Sequence, residues 1–302
     1  MAIQMLTVVT KSPSGQNYDS NSADASDNIT LLALIQRWPL STRNSLFERA
    51  MYQAGRLHAF AAESDSLAVV TSSEELKQVL KSREDGSELI AGLLGTEGSH
   101  ALDGDLDNIK RLYDAGFRMM SLQHFFDNKL GGSLHGESNA GLTEFGREAV
   151  RQMDSMGIMI DVSHSSPQVV DDVLNLIDSP LIVSHTGFKG HCDRKRNISD
   201  DLMMRIAERG GLIGVGFWSE AVCGTDVTAI ADAIAYGVET FGVEAVALGS
   251  DWDGAVTTPL AANDLAYLTS ALLKRGLSEN EIRAVMGGNT IQYFLEHLPA
   301  TD

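Results

Sequence analysis

Four polar groups stand where apolar runs of strand length stop. Glu97 follows residues 89–96, His164 follows 158–162, His185 follows 181–184, and Asp251 follows 245–249. A carboxylate with two imidazoles suits a zinc ion that keeps an open position for water. A second carboxylate, Asp251, could take the proton from that water and direct its attack. A lone histidine or aspartate at a strand end is usually structural. Four such groups at strand ends instead favour a divalent-metal hydrolase site, because β/α barrels collect catalytic groups at the C-terminal rim. His124 closes the run 118–123 at the same level. Arg196 and Asn197 follow His185 in a polar loop, where an arginine fork suits a substrate carboxylate.

Positioning these groups requires a repeated strand–helix framework. Apolar runs at 4–9, 89–96, 118–123, 158–162, 181–184, 212–218 and 245–249 read as parallel strands buried on both faces. Amphipathic helices lie between them. One carries Leu142, Phe145, Ala149, Val150, Met153 and Met156 and stops at Gly157; another carries Val169 to Ile177; a third ends at Gly210–Gly211. Ser72 and Ser73 followed by Glu74 and Glu75 form a capping signature. The alternation predicts a (β/α)8 TIM barrel, and no nucleotide-binding glycine motif follows any strand. Only seven strands can be counted, however. The stretch 17–70 reads as helical (31–38, then 41–63) and offers no eighth.

Smaller motifs carry weaker expectations. Ser163–His164 and Ser184–His185 are adjacent pairs, which strand alternation sends to opposite faces, so no serine–histidine pairing is expected. Gly131–Gly136 reads as a flexible loop beside the site. His191–Cys192–Asp193 has the spacing of an H-x-D metal pair but lies in a loop. Cys192 and Cys223 show neither CxxC spacing nor a disulfide framework.

The 302 residues are 43% hydrophobic and 21% charged, the balance of one globular domain spanning 1–302. A net charge of −18 excludes nucleic acid and anionic membranes as partners. No run approaches a membrane span and no signal-peptide pattern opens the chain, so as written it reads as cytosolic.

The motifs GTEGSHAL (95–102), LQHF (122–125), GLTEFGREAV (141–150), DVSH (161–164), VSHT (183–186), RN (196–197), GSDWDG (249–254) and GGN (287–289) resemble the membrane dipeptidase family, peptidase family M19. They cover nearly the whole chain in the family's order. The resemblance implies a zinc-dependent (β/α)8 barrel of the amidohydrolase superfamily that hydrolyses dipeptides. It makes Glu97 the carboxylate bridging two zinc ions, and His164 and His185 the other ligands of one of them. By the same likeness Asp251 lies near the nucleophilic water, His124 contacts the substrate and stabilises the tetrahedral intermediate, and Arg196 binds the substrate carboxylate. Family members are often dimers, so a homodimer is implied.

The chain departs from the family at its front. The family's first strand carries an H-x-D motif that holds the other zinc, whereas residues 1–4 resemble the second strand. The expectation is therefore a barrel lacking its first βα unit, with one intact zinc site and a second left only the Glu97 oxygen. Activity would be reduced, and an export signal upstream stays open. The alternative is a non-catalytic or single-metal amidohydrolase-like protein acting on another amide or a lactone. A lactonase fits less well, because residues 118–123 lack the lysine many of them carry.

Overall fold

The computed structural model describes residues 4–9, 39–252, 254 and 256–301, with Gln4–Val9 described by its backbone. Eight strands form one parallel sheet: β1 Gln4–Val9, β2 Leu67–Val69, β3 Ile90–Glu97, β4 Phe117–Ser121, β5 Met159–Asp161, β6 Ile182–Thr186, β7 Leu212–Val215 and β8 Val246–Leu248. Seven follow one another along a curled path, β1-β3-β4-β5-β6-β7-β8. β2 lies off that path and pairs with the start of β3. β1 pairs with Gly92–Glu97 and β2 with Ile90–Gly92, so Gly92 is partnered by Gln4 and by Val69. Among the described residues no ladder joins β8 to β1.

The stretch expected to hold no strand therefore contains β2. At three residues it is too short to show a period, and its pairing with β3 defines it. Residues 41–63, expected as one helix, form two. Ser45 adopts an extended φ of −134° between Ser41–Asn44 and Leu46–Ala62, and its side chain caps the second helix by accepting from the Glu48 amide. The expected helix at 31–38 lies outside the described residues.

Alternation along the strands sorts their side chains onto two faces. Leu94, Met120, Ile160, Val183, Ile213 and Val246 pack against the surrounding helices, among them Glu144–Ser155, Pro167–Leu176, Asp200–Glu208 and Val227–Phe241. Their neighbours Leu93, Met119, Met159, Ile182, Leu212 and Ala247 face the other way, onto Tyr293, Phe294 and Leu298. Each such buried side chain contributes about 1.5–3 kcal/mol. The helix Asn289–His297 thus fills the concave face, and Tyr293 Oη donates to Pro180 O just before β6. That closure lies at the strands' N-terminal end and leaves the opposite rim open.

Local signals set the helix ends. Ser72 and Glu75 make a reciprocal capping box for Ser73–Glu84, Ser166 caps a helix with Pro167 at its first position, and Gly157 (φ +69°) stops Glu144–Ser155. Arg118, buried within β4, is neutralised locally: Nε donates to Thr71 O and Nη1 to Tyr113 O, with the guanidinium 3.9 Å from the Tyr113 ring centre.

Contrary to the expectation from spacing, Cys192 and Cys223 form a disulfide, with Cα atoms 5.5 Å apart and 31 residues between them in sequence. Two cysteines that far apart carry no pairing signature, and only the fold brings them together. It follows that the denatured, unreduced protein has no titratable thiol. Replacing both cysteines by serine should lower stability by about 3–4 kcal/mol through the released loop entropy. Two free thiols per chain, or an unchanged melting temperature, would contradict the pairing.

Candidate metal centre

All the strands run the same way, so their C-terminal ends share one rim. Glu97 is the last residue of β3 and is buried. Gly98 follows at φ +84°, and a side chain there would press on His100 and His124. His124 lies three residues beyond β4, His164 three beyond β5, His185 within β6 and Asp251 three beyond β8. Asp251 adopts φ +58°, a left-handed conformation that aspartate tolerates better than most residues. Gly254 approaches the Asp251 carboxylate so closely that a Cβ would overlap it.

Three imidazoles converge on one carboxylate oxygen. Glu97 Oε1 lies 2.9 Å from His164 Nε2, 3.2 Å from His185 Nε2 and 3.3 Å from His124 Nε2. The Nε2 atoms of His164 and His185 are themselves 3.0 Å apart. Glu97, His185 and Asp251 offer ligand atoms within 4.8 Å of one another, and so do Glu97, His124 and His164. Burial pushes the Glu97 carboxyl up, but hydrogen bonds from His124, His164 and His185 outweigh it and hold it well below the usual carboxylate range. Burial and the Arg196 charge push His164 well down. Burial also pushes His185 down, yet Asp251 and Glu97 outweigh that and raise it.

These groups fit a divalent metal. A tetrahedral zinc with bonds of about 2.0–2.1 Å separates its ligand atoms by roughly 3.3 Å, close to the spacing among Glu97, His164 and His185. The set also matches zinc chemistry, with two neutral nitrogens and one carboxylate oxygen.

Behind this set lies a hydrogen-bonded layer anchored on Asp161, the buried last residue of β5. Its carboxylate accepts from the amides and hydroxyls of Ser163 and Ser184. Ser184 Oγ is also 2.8 Å from His185 Nδ1, so this serine and histidine do meet, against the expectation from alternation. The register of β6 against β7 shifts between Val183 and Thr186, which breaks the alternation at that point. Asp161 was not singled out in the sequence, and Ser184 only as a serine not expected to meet His185. The D-x-S-H and S-H spacings at two strand ends were the available signal.

Arg196 is buried and already engaged. It donates to Ser163 O, Thr186 Oγ1 and His185 O, and its guanidinium lies 5.3 Å from the Trp218 ring centre. Burial pushes its pKa down to about 10, against the pull of Asp251, Glu97 and Asp161. Asn197 is buried one step away and gives its amide protons to Cys192 O and Ala221 O. With the disulfide, this amide ties the arginine loop to the helix Ser219–Val222.

His135 was not anticipated. It is half-buried at the mouth, its ring centre 5.3 Å from Phe125 and 5.9 Å from His164. Burial and the charges of Arg196 and Lys195 bring its pKa down to about 4. The Gly131–Gly136 stretch is pinned rather than loose. Ser133 Oγ donates to His124 O, Leu134 N donates to His164 O at 2.8 Å, and Asp127 accepts from the Ser133, Glu137 and Ser138 amides. The H-x-D spacing at 191–193 contributes nothing to the centre: Cys192 is in the disulfide and the His191 ring faces Tyr236.

Known proteins are similar to this chain in sequence and in fold. Human dipeptidase 3 is 29% identical over 257 residues, covering 81% of this chain and 51% of its own length. The chain thus spans about half the length of the curated relatives it matches. The probable dipeptidase PvdM from Pseudomonas aeruginosa superposes with a TM-score of 0.74 at 20% identity, over 85% of this chain and 80% of that one. A metallopeptidase from Rhodobacter sphaeroides, solved with a phosphinate mimic of the dipeptide L-Ala-D-Ala, superposes with a TM-score of 0.70 at 24% identity, over 81% and 73%. These likenesses show a shared fold, a curled parallel sheet packed on helices. The sequence model of the membrane dipeptidases matches residues 23–297, nearly the whole chain, and bears out the resemblance drawn from the motifs: the chain belongs to the membrane dipeptidase family, peptidase family M19.

Proposed function

We propose that this chain is a zinc-dependent dipeptidase, with Glu97, His164 and His185 as the ligands of one zinc ion. The observation that carries this is the mutual approach of their three ligand atoms within 2.9–3.2 Å. Bound there, zinc would act as a Lewis acid and make water acidic enough to attack at neutral pH. Asp251, whose carboxylate lies within 4.8 Å of the Glu97 and His185 ligand atoms, takes the proton of the attacking water. His124 faces the site across the Glu97 oxygen and donates a hydrogen bond to the oxyanion that develops on the peptide carbonyl. Arg196 still has N–H groups without a partner among the described residues, and these receive the dipeptide carboxylate. Asn197 holds the arginine loop and is a positioning residue.

The close approach of Glu97, His164 and His185 supports a reading of one tight zinc per chain. Membership of the membrane dipeptidase family supports a dipeptide as the substrate. The disulfide suits an oxidising compartment better than the reducing cytosol expected from the sequence. Among the described residues, no helix is long and apolar enough to cross a membrane.

Asp251→Asn separates proton transfer from metal binding. The variant should retain zinc and its melting temperature while kcat for dipeptide hydrolysis falls by about 10²-fold or more. Undiminished kcat would remove Asp251 from the mechanism. A second expectation follows from His185, whose imidazole is held above its ordinary value. Proton and metal compete for the same nitrogen, so a plot of zinc affinity against pH should start to fall at a pH above about 6.5. A fall that starts only below that value would contradict His185 as the ligand.

A further inference from the structure

We infer that Asp161, acting through Ser184, fixes the proton of His185 on Nδ1 and so presents the Nε2 lone pair to the metal. The inference rests on the metal-centre reading above, and it makes Asp161 a positioning residue.

The available hydrogens fix the Nδ1 proton. A carboxylate only accepts, a backbone amide only donates, and a serine hydroxyl has one proton. Asp161 Oδ1 accepts from Ser163 N at 3.0 Å, Ser163 Oγ at 2.6 Å and Ser184 N at 3.0 Å. Oδ2 accepts from Ser184 Oγ at 2.6 Å. Both hydroxyl protons therefore point at Asp161. The 2.9 Å approach of Ser163 Oγ to Ser184 Oγ is left without a hydrogen, and Ser163 Oγ accepts from the His185 amide at 3.1 Å. Ser184 Oγ, its proton committed, can only accept from His185 Nδ1 at 2.8 Å. His185 therefore carries its hydrogen on Nδ1. The opposite tautomer would turn the Ser184 proton toward the ring and leave two lone pairs facing each other at 2.6 Å. Nε2 is left as the atom that faces the centre, 3.2 Å from Glu97 Oε1 and 3.0 Å from His164 Nε2, where a metal would take the place of any hydrogen.

The same network gives the test its direction. In Asp161→Asn the amide oxygen must take the Oδ1 position, because two backbone amides point there. The new NH2 group then faces Ser184 Oγ, which becomes an acceptor and turns its own proton onto His185 Nδ1. The ring hydrogen moves to Nε2 and blocks the metal. Zinc affinity of the whole chain, measured by competition with a chromophoric chelator, should fall about 10- to 100-fold. Ser184→Ala removes the relay without reversing it and should lose less. Nitrogen-15 spectra of the metal-free chain at alkaline pH should place the His185 hydrogen on Nδ1 in the wild type and on Nε2 in Asp161→Asn.

Zinc affinity of Asp161→Asn within about twofold of wild type, or a wild-type hydrogen on Nε2, would overturn the inference. Should Asp161→Asn fail to fold, Ser184→Ala and the wild-type spectrum decide it. A wild type that binds no zinc would sink the metal reading, while the spectrum would still decide where the proton lies.

Discussion

Glu97 is a carboxylate almost removed from water, and a buried charge survives only where partners replace the lost hydration. Three imidazoles do so here by converging on one of its oxygens. That convergence is possible only because β3, β4, β5 and β6 run parallel and end at a common level, so residues far apart in sequence reach a single point. The arrangement is also unsettled as a set of protein groups alone, since two histidine nitrogens stand 3.0 Å apart. A cation between them resolves both problems, satisfying the carboxylate and giving each nitrogen lone pair a target.

A second buried carboxylate supports the first. Asp161 binds the loop after β5 to the end of β6 through two serines, and Arg196 draws the same two segments together by donating to Ser163 O and His185 O. Asn197 and the disulfide then tie the arginine to Cys223 and the helix before it. The ligands thus stand on a connected polar layer, with apolar packing on the strands beneath. Such support restricts each ring to one orientation, which a metal site requires.

The main strands were legible because parallel strands buried on both faces write themselves as unbroken apolar runs, and Glu97, His164, His185 and Asp251 stood out as polar groups ending such runs. β2 was illegible because three residues cannot show a period, and β3 alone recruits them. The Ser184–His185 contact was illegible because regular alternation sends neighbours to opposite faces, and the register shift in β6 breaks that alternation. The disulfide escaped because its cysteines lie on separate loops, and His135 because a glycine-rich loop gives no hint of where it folds back. In each case the deciding contact is long-range, which local pattern does not encode.

The central claim is that Glu97, His164 and His185 share one metal ion. Anomalous diffraction at the zinc edge, from crystals of this chain grown with zinc, tests it most directly. The account predicts a peak about 2.0–2.2 Å from a Glu97 carboxylate oxygen and from Nε2 of both histidines. A peak bound elsewhere, or none at saturating zinc, would contradict it.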